Sequence, residues 1–172
     1  MRLSAKALFI AGAVLAMTAG PSRAQAPAGA DRISARMVAN ELRVMGLQAN
    51  TGKQDPTTPL VTTQVDGANW IVFFYGCEKS GDLDQRLCDS IEFHSGYVVP
   101  KAVPASVMNR WNLENRFARG YNLVDQARRP SARMEVDVLF AGTGADPARL
   151  FRTYFQLMRQ LSFEFRKRIG FK

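Results

Sequence analysis

The pair Asp66-Gly67, placed between two apolar runs, is the feature that most constrains the fold of this chain. Asp-Gly is a preferred sequence for the two-residue turn that joins antiparallel strands, because both turn positions need a positive φ. Residues 60–65 and 69–75 are therefore predicted to form a hairpin. Residues 87–98 are predicted to form a third strand, with apolar side chains on one face. The chain is thus expected to contain an antiparallel sheet.

Two more strands are predicted further along the chain. In residues 133–140, the apolar side chains Met134, Val136, Val138 and Phe140 alternate with Arg133, Glu135, Asp137 and Leu139, which is typical of a half-buried strand. Residues 117–124 are the other predicted strand, and a turn-rich segment separates the two. Residues 51–59, rich in Thr, Pro and Gly, are predicted to be a loop.

Three helices complete the expected fold. Apolar residues recur at helical spacing from about residue 31 to residue 45, in the segment that follows Pro104, and from residue 147 to residue 169. The resulting order, α-β-β-β-α-β-β-α, indicates an α+β domain. We expect an antiparallel sheet of about five strands packed with three helices, in one domain that covers residues 31–172.

The second strand of the hairpin is apolar on both faces. Its two rows of side chains are Trp70, Val72 and Phe74 on one side, and Ile71, Phe73 and Tyr75 on the other. A sheet with one face in water normally shows polar residues on that face. Either helices therefore cover both sides of this strand, or a partner covers one of them.

The first 24 residues have the layout of a secretory signal peptide. A basic start precedes a short apolar run, and small residues favour cleavage after Ala24. The run is shorter than the roughly 18–20 residues that span a bilayer, so no stable membrane insertion is expected after cleavage. The mature protein is expected in the periplasm or outside the cell, with residues 25–30 as a flexible lead.

The two cysteines, Cys77 and Cys88, both lie in the mature chain. In an oxidising compartment, an isolated pair at this spacing favours a structural disulfide. The alternative, a redox-active pair, normally needs a CxxC turn at the start of a helix, which lowers the pKa of one thiol. Here the cysteines are flanked by strand-like sequence, so the structural disulfide is the preferred interpretation.

The charge of the chain is moderate once the leader is removed. Three of the 23 basic residues lie in the leader, which leaves 20 basic against 15 acidic residues, a net charge of +5 on 148 residues. The basic residues are spread out, and an exported protein meets little nucleic acid, so no nucleic-acid partner is expected. A charge of this size mainly keeps a protein soluble.

No catalytic, cofactor or metal site is predicted from the motifs. His94, the only histidine, shares a strand face with Glu92, but a zinc site needs three or four ligands. A triad of Ser90, His94 and Asp89 has no nucleophile-elbow motif to support it. The glycines at 142–144 lack the lysine and the glycine spacing of a phosphate-binding loop.

The segment from residue 111 to residue 119 resembles the W-N-x-E-x-R-F-A signature of the YbjN family, described as candidate bacterial sensory transduction regulators. The matching residues are Trp111, Asn112, Glu114, Arg116 and Phe117. The resemblance implies a fold like that of type III secretion chaperones, an α+β sandwich that often dimerises, with no established enzymatic activity. The leader and the cysteine pair resemble those of exported members of the family.

A partner surface is predicted on the last helix, where Phe163 falls away from the apolar stripe. It lies among the arginines Arg152, Arg159 and Arg166. An aromatic residue among arginines is typical of protein interfaces. The preferred hypothesis is a non-enzymatic, periplasmic protein-binding protein, chaperone-like or adaptor, that forms a homodimer and binds an envelope protein client. The alternative is an envelope hydrolase or a thiol-redox protein.

Overall fold

The computed structural model describes residues 31–79, 81–125 and 127–171. The expected signal peptide and lead, residues 1–30, lie outside the described residues. The described part forms three helices and six strands. In chain order these are α1 (Ala35–Val44), β1 (Ala49–Lys53), β2 (Pro59–Val65), β3 (Ala68–Tyr75), β4 (Ser90–Val98), α2 (Ala105–Glu114), β5 (Arg119–Val124), β6 (Pro130–Leu139) and α3 (Pro147–Ile169).

The strands form one antiparallel sheet in the order β1-β2-β3-β4-β6-β5. Strands β1 to β4 follow one another as a meander. The chain then passes through α2 to the far edge and returns through β6, which lies between β4 and β5. The expected α+β class and element order are confirmed, and the prediction of about five strands is one short.

Strand β1 is not predicted from the sequence, and residues 51–53 of it fall in the segment that is predicted to be a loop. Only Ala49 of its five residues is buried, so it carries no apolar alternation. Its extended backbone comes from pairing with β2, from Ala49 opposite Thr63 to Lys53 opposite Pro59. Edge strands of this kind are held by backbone hydrogen bonds on one side and need little apolar signal of their own.

The hairpin at Asp66-Gly67 is confirmed. Both residues have a positive φ, 49° at Asp66 and 78° at Gly67. Val65 and Ala68 face each other directly on either side of the turn. This geometry fits the tight turn whose twist matches that of the flanking strands.

The hydrophobic core lies between one face of the sheet and the helices. Trp70 of β3 packs against Phe155 of α3, with ring centroids 5.5 Å apart, and Phe93 of β4 packs against Phe151 at the same distance. Asp146 caps the N-terminus of helix α3, where its side chain accepts a hydrogen bond from Arg149 N–H, and Gly170 caps the C-terminus. Its buried residues are Pro147, Phe151, Phe155, Met158, Ser162 and Phe165.

The other face of the sheet has no helix on it within the described residues. In β3, the row of Trp70 is buried under α3, whereas Ile71 and Phe73 are partly buried and Tyr75 is 44% exposed. Among the described residues, helices therefore cover only one of the two apolar faces of β3. We call this uncovered side the open face of the sheet.

Candidate functional site

The open face combines apolar side chains with a compact group of ionisable ones. The register places Phe73 of β3 opposite Glu92 of β4, and Glu92 opposite Asp137 of β6. In the next row, Ile71 lies opposite His94. The face is therefore apolar over β3 and charged over β6, with β4 at the boundary.

A contact between His94 and Tyr121 crosses the charged half. His94 stacks on Tyr121, with ring planes 10° apart, and its Nε2 lies 3.2 Å from the Tyr121 hydroxyl. Burial, followed by the nearby Glu135 carboxylate, raises the pKa of that hydroxyl to about 12, so Tyr121 stays protonated. Burial, assisted by the nearby Arg133, lowers the pKa of His94 to about 4, which keeps the ring neutral.

Arg119 of the edge strand β5 forms ion pairs with two of the carboxylates. Its Nη2 lies 2.9 Å from Glu135 and 2.8 Å from Asp137. Glu92 is the third carboxylate, and it accepts a 3.5 Å hydrogen bond from the Tyr75 hydroxyl. Burial, followed by repulsion from Glu135 and Asp137, raises the pKa of Glu92 to about 7. Glu92 is thus a partly buried acid without an ion pair among the described residues.

Glu92 is expected to make folding stability depend on pH. Its pKa rises from 4.5 to about 7 on folding, so the folded state holds the proton more tightly and stability falls as pH rises through this window. Glu92→Gln should therefore raise the free energy of unfolding at pH 8 by about 1–2 kcal/mol, because solvent screens part of the full effect. At pH 5, the change should be small.

Urea unfolding of the wild type and Glu92→Gln at both pH values measures this difference. His94 acts in the opposite direction, since its lowered pKa makes stability rise with pH between about 4 and 6.5. Comparing the two proteins at each pH cancels the contribution of His94. An equal effect of Glu92→Gln at pH 5 and pH 8 would contradict the assignment.

The triad considered in the sequence is not assembled. Ser90 and His94 lie four residues apart on β4, a rise of about 13 Å along the strand. Asp89 accepts a 2.7 Å hydrogen bond from Arg32 instead. Within residues 31–79, 81–125 and 127–171, no group of three or more His, Cys, Asp or Glu side chains could hold a metal ion.

The two cysteines lie at bonding distance, which supports the predicted disulfide. Their sulfur atoms are 2.09 Å apart, with Cys77 just after β3 and Cys88 just before β4. Cys88 is fully buried, and its backbone exchanges two hydrogen bonds with Ile33, of 2.7 and 3.1 Å. The disulfide therefore joins the two ends of the β3–β4 connection, and the two backbone hydrogen bonds attach its second end to Ile33 at the start of the domain.

The family-signature residues divide between packing and surface. Trp111 is buried against Phe165, with ring centroids 4.9 Å apart. Asn112 accepts from Gly120 N–H at 2.7 Å and donates to its carbonyl at 3.1 Å, which joins α2 to β5. A Cβ on Gly120 would lie 2.8 Å from Trp111 and Phe165, so only glycine fits there without displacement.

The remaining signature residues are exposed. Glu114 pairs with Arg110 at 3.4 Å and with Arg168 at 2.5 Å. The Arg116 guanidinium lies 5.5 Å from the centroid of the Phe117 ring. The Glu114–Arg168 pair joins α2 to α3 at the surface, whereas Trp111 contributes to the same packing from the core.

The predicted partner surface lies along one flank of α3, which we call the arginine flank. Phe163 is 56% exposed, and Lys167 lies 4.0 Å from its ring centroid. Arg152 pairs with Glu41 of α1 at 2.7 Å. Arg159 binds the Asp66 carboxylate at 2.7 and 2.8 Å.

Arg166 donates to the backbone carbonyl of Asp66 at 2.8 Å. All three predicted arginines are therefore engaged with α1 or with the β2–β3 turn. These contacts attach α3 to the rest of the domain, and the side chain of Phe163 remains exposed to solvent.

Comparison with known proteins adds a similarity of fold. The crystal structure of YbjN from E. coli, a candidate transcription regulator, is 13% identical over 78% of this chain and 87% of that chain, with a TM-score of 0.47. A likeness at this identity does not extend to family or activity. No family model and no curated protein matches the chain. In the part of the chain that the structure describes, no helix is long and apolar enough to cross a membrane.

Proposed function

We propose that this protein is a non-enzymatic adaptor or chaperone-like protein of the bacterial cell envelope that binds another protein through the open face of its sheet. The observation that carries the proposal is the apolar half of that face. Within the part of the chain that the structure describes, Ile71, Phe73 and Tyr75 have no helix over them, although the same strand buries its other row completely. Side chains of this kind favour burial by a partner.

The size of the open face suits a protein partner. Six strands about 4.8 Å apart, each roughly 20–30 Å long, give a surface of about 600–800 Å². A standard protein interface buries about 800 Å² on each partner.

The expected export of the chain places the partner in the envelope. The leader favours the periplasm, and a disulfide is the form that cysteine pairs take in an oxidising compartment. An envelope protein is therefore the proposed client.

Crosslinking in cells that export the tagged protein, followed by mass spectrometry, tests this function. The wild type, Phe73→Ser on the open face and Phe163→Ser on the arginine flank form a matched set, since each loses one partly exposed phenylalanine. We expect one reproducible envelope partner for the wild type and Phe163→Ser, and its loss with Phe73→Ser. Retention of the partner by Phe73→Ser together with its loss in Phe163→Ser would move the binding surface to α3.

A homodimer is part of the same proposal. Because the open face is assigned to the client, the two copies would meet elsewhere. Of the two edge strands, β1 is the proposed contact, since Gly120 of β5 is already hydrogen-bonded to Asn112 of α2. Light scattering of the purified mature protein should give twice the mass of one chain. A single-chain mass at micromolar concentration would remove dimerisation from the proposal.

A further inference from the structure

We propose that the open face selects a basic protein segment, whose lysine or arginine side chain binds Glu92 between Phe73 and Tyr75 while neighbouring apolar side chains cover β3. The inference rests on the proposed function and adds the chemistry of the partner. It combines an apolar surface that no described helix covers with a carboxylate, Glu92, that forms no ion pair with any described residue.

The balance of charge around Glu92 favours a cation. Arg119 supplies one positive charge, which Glu135 and Asp137 share. Glu92 lies opposite Asp137 in the register and adds a third negative charge to the group. Like charges placed directly opposite each other on neighbouring strands are destabilising. A partner's ammonium or guanidinium group would relieve this repulsion.

The surroundings of Glu92 favour the same partner. Phe73 lies directly opposite Glu92 on β3, and the Tyr75 hydroxyl lies 3.5 Å from its carboxylate. A cation bound there would also lie close to aromatic rings, which attract cations through their faces. The methylene groups of a lysine or arginine would cover the apolar surface over β3.

An acidic partner has no comparable anchor on this face. Arg119 is already paired with two carboxylates. Arg133 lies over Gly96, where a Cβ would collide with its guanidinium, and its Nε donates to Ser131 Oγ at 3.1 Å. Both arginines of the open face are thus held by neighbours of their own sheet.

Binding of a cation should strengthen as pH rises. The charged and titratable groups that face Glu92 are Tyr75 from β3, Glu135 and Asp137 from β6, and Arg119 from β5. With the pKa of Glu92 at about 7, most of its carboxyl groups are protonated at pH 6 and ionised at pH 8. Affinity for a basic segment should therefore rise by up to about tenfold over this range.

Fluorescence anisotropy with three labelled ten-residue peptides tests the inference on the mature protein. The peptides alternate Leu with Lys, with Glu or with Ser. Net charge alone would favour the Glu peptide, because the mature chain carries +5. A preference for the Lys peptide would therefore come from a local site.

The variants are Glu92→Gln, Phe73→Ser and Tyr75→Ser, with Glu164→Gln as the control. Glu164 is an exposed acid on α3, paired with Lys167 at 3.8 Å. Tyr75→Ser removes a more exposed side chain and serves if Phe73→Ser does not fold. Circular dichroism checks the fold of each variant.

We expect the Lys peptide to bind at least tenfold more tightly than the Glu peptide at pH 8. Glu92→Gln should weaken its binding about fivefold and remove the pH dependence, whereas Glu164→Gln should change nothing. Equal affinity for the Lys and Glu peptides, or wild-type affinity in Glu92→Gln, would overturn the inference.

The Ser peptide separates the inference from the proposed function. If the Ser peptide binds as tightly as the Lys peptide and the serine variants abolish both, the open face binds protein without selecting a basic one. If no peptide binds, or if both serine variants bind like the wild type, the inference and the open-face binding surface fail together.

Discussion

Replacing Trp111 with alanine is expected to lower the free energy of unfolding by about 3–5 kcal/mol. The indole is 2% exposed and packs edge-on against Phe165 of α3. Its removal leaves a cavity where α2, α3 and Gly120 of β5 meet, and the backbone around a cavity relaxes only in part. Urea unfolding followed by circular dichroism measures the change.

Leu113→Ala is the matched control because it truncates an apolar side chain of the same helix that is 83% exposed. Its effect should stay within about 0.5 kcal/mol. Near-wild-type stability in Trp111→Ala would contradict the packing role, and the tryptophan of the signature would then need a functional explanation.

Removal of the disulfide is the change with the second largest expected effect. The bond joins cysteines with a sequence separation of 11, and Cys88 is fully buried. A ring of this size should stabilise the fold by about 3 kcal/mol, chiefly by restricting the unfolded chain. The double variant Cys77→Ala/Cys88→Ala should therefore unfold at a clearly lower temperature than the oxidised wild type.

Thermal unfolding with and without dithiothreitol supplies the control. Reductant should lower the melting temperature of the wild type towards that of the double variant, and should leave the variant itself unchanged. An oxidised wild type no more stable than the double variant would show that the bond has no structural role.

The sequence was sufficient for the fold class because its strongest signals are local. The Asp66-Gly67 turn and the alternation at 133–140 each specify a strand pair or a strand face without reference to the rest of the chain. Strand β1 lacks such a signal, since its exposed residues take their conformation from β2. An edge strand of this kind can be seen only once its neighbour is placed.

In the candidate site too, features with a local sequence signal were predicted, and contacts that depend on the strand register were not. Because strand 69–75 is apolar on both faces, the sequence indicated that both faces are covered by helices or a partner. Among the described residues, helices cover the row of Trp70 and leave the row of Phe73 uncovered. The contact of His94 with Tyr121 was not predicted, because it joins β4 to β5 across β6 and depends on the register. Its only sequence signal was the shared strand face of Glu92 and His94.

The arginine flank illustrates why a helix pattern alone is weak evidence for a binding surface. Helical spacing correctly places Arg152, Arg159 and Arg166 on one side of α3. The sequence does not show that Glu41 and the turn at Asp66 lie within reach of that side. Long-range ion pairs of this kind depend on how α3 lies across the sheet.

Hydroxyl-radical footprinting of the exported protein, inside intact cells and after purification at a concentration where it is monomeric, tests the open face most directly. Tyr75 is 44% exposed and Phe163 is 56% exposed, so both should be oxidised in the purified monomer. If the open face is the binding surface, Tyr75 should be strongly protected in cells while Phe163 stays reactive. Equal reactivity of Tyr75 in cells and in the purified monomer would contradict the account.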